Sequence, residues 1–387
     1  MNTNPIGRNA KIDFLRGVAI LLVLILHYAL AYGFRKSPLG DLIPTPWLKT
    51  LVFNGNYGVT IFFVISGFLI TVHSINRWGE LKNINLRSFY IYRMARILPS
   101  LLLAVSIIVA AGCFDLPYFN NTDDGKNFPA SYFIVAAGSV LSFWHNALMA
   151  SVGYFNYCLN VYWSLSVEEM FYLAFPLACL LLRKTSLIIA LCMTAMIIGP
   201  IYRSQHTENE IYYMYGYLAC FDAIAIGCLT AILASRLKVN GPANQALTLI
   251  SGLALIAVYL QGIGGNEVFG FTLIALSTAG LLFAFSSQGN HGWMTGRLTA
   301  WVRSLGKYSY EIYLFHIIIL AALRNVVTAE QVGYYFKLPL FIAFVALSAW
   351  IAILVSRYFS EPINRSLREY FVDRKSGRFV VSLMGNG

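Results

Sequence analysis

The chemistry this chain could perform is concentrated in a few ionisable residues that interrupt long apolar runs. Arg16 and His27 fall eleven residues apart in one such run. On a helix that spacing is about 16 Å of rise and close to three turns, so the two side chains share a face at different depths. Arg93 and Arg96 are three apart and share a face just ahead of Pro99. Glu168, Glu169, Asp222, Glu311 and His316 lie in further apolar runs. Arginine makes forked, charge-assisted hydrogen bonds to phosphate, and an imidazole near neutrality takes a proton from a hydroxyl. Guanidinium groups with a histidine one ligand-length deeper therefore suit a phosphorylated donor and a proton-transfer step. Each residue type also has a plainer use. Arginines at helix ends anchor in headgroups, a histidine in an apolar helix bonds a neighbouring helix, and buried carboxylates line proton or cation paths in transporters.

Composition says what must hold these residues. Of 387 residues, 58% are hydrophobic and 12% charged, with a mean hydropathy of +0.64. Soluble domains carry about twice that charged fraction, which excludes an ordinary cytosolic enzyme, a disordered chain and a charge-covered nucleic-acid binder. The expected fold class is all-α, a polytopic membrane helical bundle in a lipid bilayer. Six cysteines lie mostly in apolar runs, without the Cys and His spacing of a metal site, so no metal is expected. The first apolar run lacks a small-residue cleavage site and is expected to remain as a span.

Eleven apolar segments are candidates to cross: 14–34, 51–74, 96–114, 130–148, 161–182, 186–202, 213–234, 245–260, 269–285, 308–323 and 338–356. Basic residues cluster before the first, between the second and third, and after the last, so an even number of crossings puts all three clusters on one side. The segment 130–148, with Trp144, His145 and Asn146, is the one to drop. Ten spans then place 21 of the 28 basic residues inside, whereas eleven place only 11 there. The positive-inside rule selects ten spans with both termini cytoplasmic. The net charge of +11 then records cytoplasmic loops rather than nucleic-acid binding. A single domain over 1–387 is expected, with a short basic cytoplasmic tail from about 357 to 387.

Several strings resemble the acyltransferase 3 family of integral membrane acyltransferases. They are Asp13-Phe14-Leu15-Arg16-Gly17-Val18-Ala19 running to His27, Phe62 to Leu69, Arg93 to Pro99, Trp163 to Glu169 followed by Phe171-Tyr172, and Ser309 to His316. The resemblance implies transfer of an acyl group, acetyl from acetyl-CoA above all, to a hydroxyl of a carbohydrate or lipid-linked glycan. The acceptor it implies is a bacterial surface polysaccharide such as O-antigen, with the enzyme in the inner membrane. Acyl-CoA would be a co-substrate, with no bound cofactor. Some family members carry a further C-terminal hydrolase-like domain; without one, transfer would finish in the membrane unit or with a separate partner.

Carried over by position, His27 and Glu168 would be catalytic, with Glu168 orienting the imidazole. Arg16, Arg93 and Arg96 would bind the donor. Asp13, Glu169, Asp222, Glu311 and His316 are candidate supporting residues. Tyr154, Tyr157 and Trp163 are the expected acceptor side. The rival reading is a carrier or flippase for a lipid-linked sugar or small polar solute. It accounts for the spans and buried carboxylates, and less well for arginines gathered at one leaflet beneath a histidine.

Overall fold

A computed structural model describes residues 9–287 and 292–372. Among the described residues, ten helices are long and apolar enough to cross a bilayer. Their main segments are α1 (Ala10–Tyr32), α2 (Asn56–Trp78), α3 (Leu86–Cys113), α4 (Trp163–Leu182), α5 (Thr185–Ser204), α6 (Tyr217–Arg236), α7 (Gly241–Gln261), α8 (Gly270–Ser287), α9 (Ser309–Val326) and α10 (Lys337–Val355). No strand occurs among the described residues.

Side-chain bonds fix the helix directions. Arg16 meets Ser309 and His27 meets His316, so α1 and α9 run parallel. Tyr310 Oη donates to Ile97 O near the start of α9, and Asn325 Nδ2 donates to Pro117 O near its end, so α3 runs parallel to them. Tyr162 and Ser164 bond near residues 313–314, whereas Tyr90 donates to Leu173 O, so α4 runs the opposite way. The chain therefore leaves α3 and enters α4 on the same side, and 130–148 does not cross. Its helices Phe133–Leu141 and His145–Val152 have 9 and 8 residues, less than half the length a crossing needs.

Core position follows residue size as well as polarity. The α2–α6 crossing sets Gly67 against the Ile224 carbonyl and Gly227 against the Val64 carbonyl, contacts that leave no room for a Cβ. Small residues let helix backbones approach closely where lipid offers no competing hydrophobic drive. By contrast, α5 and α7 present Leu187, Leu191, Ile197, Leu249, Ile250 and Leu253 outward.

The tail expected from 357 continues as helix. A π turn, Ser356–Ser360, leads into α11 (Glu361–Phe371). Pro362 has no N–H for the α-helical ladder and sits in the first turn of α11, where none is needed. Arg365 and Arg368 fall on α11; residues 373–387, with Arg374, Lys375 and Arg378, lie outside the described residues, as does Arg8.

Residues 114–159 form a cap on the side away from Arg93. Asn156 Nδ2 donates to Phe119 O, Asn120 O and Asn121 Oδ1, and Asn160 donates to Asp123. His145 is fully buried there. Ser139 Oγ donates to Ala136 O, so the imidazole Nδ1–H donates to Ser139 Oγ, at 2.7 Å. Burial lowers the His145 pKa to about 3. The folded cap keeps the ring neutral, whereas an opened cap lets it take a proton below its ordinary value of 6.5. This contribution is complete above that value and is lost as pH falls towards the folded one. At pH 5 the loss is about 2 kcal/mol, or roughly 30-fold in the open population. Limited proteolysis within 114–159 is expected to accelerate by that order between pH 7 and pH 5. The same acceleration in His145→Asn would rule this account out.

Candidate active site

Residues from α1, α2, α3, α4, α6, α8 and α9, with Lys238 just beyond α6, enclose a chamber of about 800 Å³. Its exposed rim carries His73, Asn76, Arg96 and Lys238, and half-buried Arg16, Arg93 and Glu168 lie within. Ser164 and Tyr313 also line it. All three predicted donor-binding arginines thus face one space, together with Asp13, Glu168 and Glu169.

Arg16 and Arg93 each meet an uncharged side chain. Arg16 donates from Nε and Nη2 to Ser309 Oγ, at 3.2 and 2.9 Å. The Arg93 guanidinium lies over the Tyr172 ring, 3.5 Å from its centroid. Its buried Nε has no hydrogen-bond partner among the described residues. Tyr172 Oη donates to Glu168 Oε1 at 2.5 Å and accepts from Ser66 Oγ. Ser66, Tyr172 and Ser309 lay within the motif strings but carry no charge, so a search for ionisable residues passes them over. His73 and Lys238, on the rim, were outside every string.

The histidines meet elsewhere. Neither lines the chamber. His316 Nε2 is 3.4 Å from His27 Nδ1; His316 is fully buried, while His27 keeps partial exposure. Tyr313, three residues before His316, lines the chamber, and its ring centroid lies 5.8 Å from that of His316. Its hydroxyl donates to Val161 O and accepts from Ser164 Oγ, each at 2.5 Å. Glu168 does not orient His27: its carboxylate is bonded to Tyr172, and His27 is held by Val23 O at 2.9 Å and by His316.

The remaining predicted residues are placed apart. Asp222 lies in an ion pair with Arg203, 2.7 Å apart and fully buried. Glu311 faces Ser360 of the π turn. Trp163 is buried and stacked on Tyr215, with centroids 4.4 Å apart, so its face is not an open platform for a sugar. Tyr154 bonds Tyr215 through its hydroxyl, and Tyr157 lies near Arg324. No group of three or more potential metal ligands occurs among the described residues.

A family model described as an acyltransferase domain matches residues 9–357. The chain belongs to the acyltransferase 3 family. Every chamber residue named above lies within the matched span. This acyltransferase 3 chain is 23% identical over 400 residues to O-acetyltransferase OatA of Staphylococcus aureus, covering 96% of this chain and 60% of that protein. It is 25% identical over 398 residues to peptidoglycan O-acetyltransferase OatA of Listeria monocytogenes, covering 96% and 58%. The chain thus spans about three-fifths of the length of these curated relatives. No solved structure matches it.

Proposed function

We propose that this protein is a membrane O-acyltransferase, moving an acetyl group from acetyl-CoA to a hydroxyl of a cell-envelope carbohydrate. The observation that carries the reading is the chamber, which gathers Arg16, Arg93 and Arg96 at one end of the bundle while one histidine of a pair lies beside its lining residue Tyr313. Phosphates of the donor bind the guanidinium groups. The thioester end reaches His27 once the Tyr313 ring swings aside, and the acceptor hydroxyl approaches from the opposite side. The arginine end faces the cytoplasm, with both termini, in a bacterial inner membrane. The 21 basic residues on that side support this orientation. The acceptor is a surface polysaccharide such as O-antigen; a second reading, peptidoglycan, is favoured by the name of the Listeria relative.

Membranes holding the protein, supplied with acetyl-labelled CoA, are expected to place alkali-labile label in envelope glycan. Fractionating lipopolysaccharide from peptidoglycan separates the two acceptors. Arg93→Gln is expected to raise the donor KM by about tenfold or more, the order of a lost charge-assisted bond. Label independent of the protein, or an unchanged donor KM, would sink the reading.

A further inference from the structure

We infer that His316 is a positioning and proton-accepting partner of His27, and that Nε2 of His27 is the nitrogen that meets the acceptor hydroxyl. This rests on the proposed acyl transfer. The hydrogen-bond partners of each ring fix its tautomer. His316 Nδ1 lies 2.7 Å from Tyr313 O and 3.1 Å from Ile312 O. Carbonyl oxygens only accept, so Nδ1 of His316 carries the proton. In the neutral ring, Nε2 then presents a lone pair, and that lone pair faces His27 Nδ1 at 3.4 Å. His27 Nδ1 also lies 2.9 Å from Val23 O. Both neighbours are acceptors, so His27 carries its proton on Nδ1 and its lone pair on Nε2. That nitrogen has no hydrogen-bond partner among the described residues.

The two neighbours of His27 Nδ1 differ in what they can do next. Val23 O can accept a hydrogen bond but cannot take up the proton. His316 can. As His27 Nε2 removes the acceptor hydroxyl proton, the new O–C bond to the acyl group forms and the C–S bond breaks. Positive charge on His27 is relieved by passage of its Nδ1 proton to His316 Nε2. The two carbonyls at Tyr313 and Ile312 then stabilise the His316 cation. The departing thiolate is reprotonated by the pair, giving free thiol and two neutral rings. His316 thus fills the place that a carboxylate takes beside other catalytic histidines; among the described residues, no carboxylate is hydrogen-bonded to either ring. The long separation is that of a resting pair, since such bonds tighten as charge develops.

Two measurements test this on the full chain. In the labelled-acetyl assay, His316→Ala and His316→Gln are compared at equal amounts of monodisperse protein. The glutamine amide oxygen can accept from His27 Nδ1 but cannot take its proton. Both variants are expected to lose about 10²–10⁴-fold in kcat, with the donor KM within twofold of the parent. Near-parental kcat in either variant, or a donor KM that rises with the loss, overturns the role of His316. Separately, ¹⁵N-histidine spectra of the protein in lipid nanodiscs, assigned with His27→Gln and His316→Gln, are expected to show both rings protonated at Nδ1 and bare at Nε2. A proton on Nε2 of His27 overturns the inference whether or not acyl transfer is found. Absence of transfer in the parent, with the expected tautomers, would instead count against the proposed function and leave no proton acceptor role for the pair.

Discussion

Replacing His27 with alanine is expected to lower acetyl transfer by about 10²–10⁴-fold, the range associated with loss of a positioned acid or base. The size follows from the site's construction. No second imidazole or carboxylate stands ready to substitute: His316 is fully buried behind His27, and Glu168 is engaged with Tyr172. The loss should appear in kcat, because the donor's phosphates are proposed to bind at the arginines about 16 Å along α1. Folding should survive, since the side chain is only partly buried and its protein bonds are to Val23 O and His316. The measurement is the initial rate of labelled transfer, normalised to monodisperse protein. A rate within tenfold of the parent would remove His27 from the chemistry, and a loss confined to donor KM would recast it as a binding residue.

Much of this architecture was legible before any coordinates. Apolar length located the spans, and the asymmetry of arginine and lysine rejected 130–148, whose short helices indeed stay on one side. The Arg16 to His27 spacing was equally readable, because helix rise converts residue number into depth. What periodicity could not supply was the partner across the bundle. The i, i+4 spacing of Glu168 and Tyr172 already sets them on one face of α4, but nothing within α4 tells how far that face stands from His27, since this depends on how α4 packs against α1 and α9. Tyr313 lies in the Ser309 to His316 string but has no charge to mark it; it lines the chamber beside Ser164, to which it is bonded. Arg203 was missed for a different reason. Arg203 directly follows the last apolar residues of the segment 186–202, whose bound therefore left it in a loop. In the structure α5 continues through Ser204, and the charge is inside.

That buried arginine gives the largest expected effect on stability. Arg203 and Asp222 are 0% and 1% exposed, with Nη2 to Oδ2 at 2.7 Å. The guanidinium also donates to Val268 O, Ala219 O and Thr272 Oγ1, and Thr272 donates in turn to Asp222 Oδ2. One side chain on α5 thereby ties α6 and α8 to itself and occupies Asp222, the carboxylate a transporter reading would have placed on an ion path. Arg203→Met leaves Asp222 charged and without its cation, and is expected to destabilise the protein by about 3–5 kcal/mol. The double variant Arg203→Met with Asp222→Leu removes both charges and substitutes apolar volume, so it should recover most of that loss. Thermal unfolding of the purified protein in detergent, followed by loss of the monodisperse peak, reads both. Equal destabilisation by the single and double variants would show that the bonds to Val268, Ala219 and Thr272, rather than the pairing of charge, hold α5, α6 and α8 together. A parental midpoint in Arg203→Met would mean that Asp222 finds another partner or a proton, and that the pair is not needed for the fold. Because neither residue lines the chamber, the double variant should keep its acetyl transfer. The same experiment therefore separates the bundle's internal support from the site that it holds.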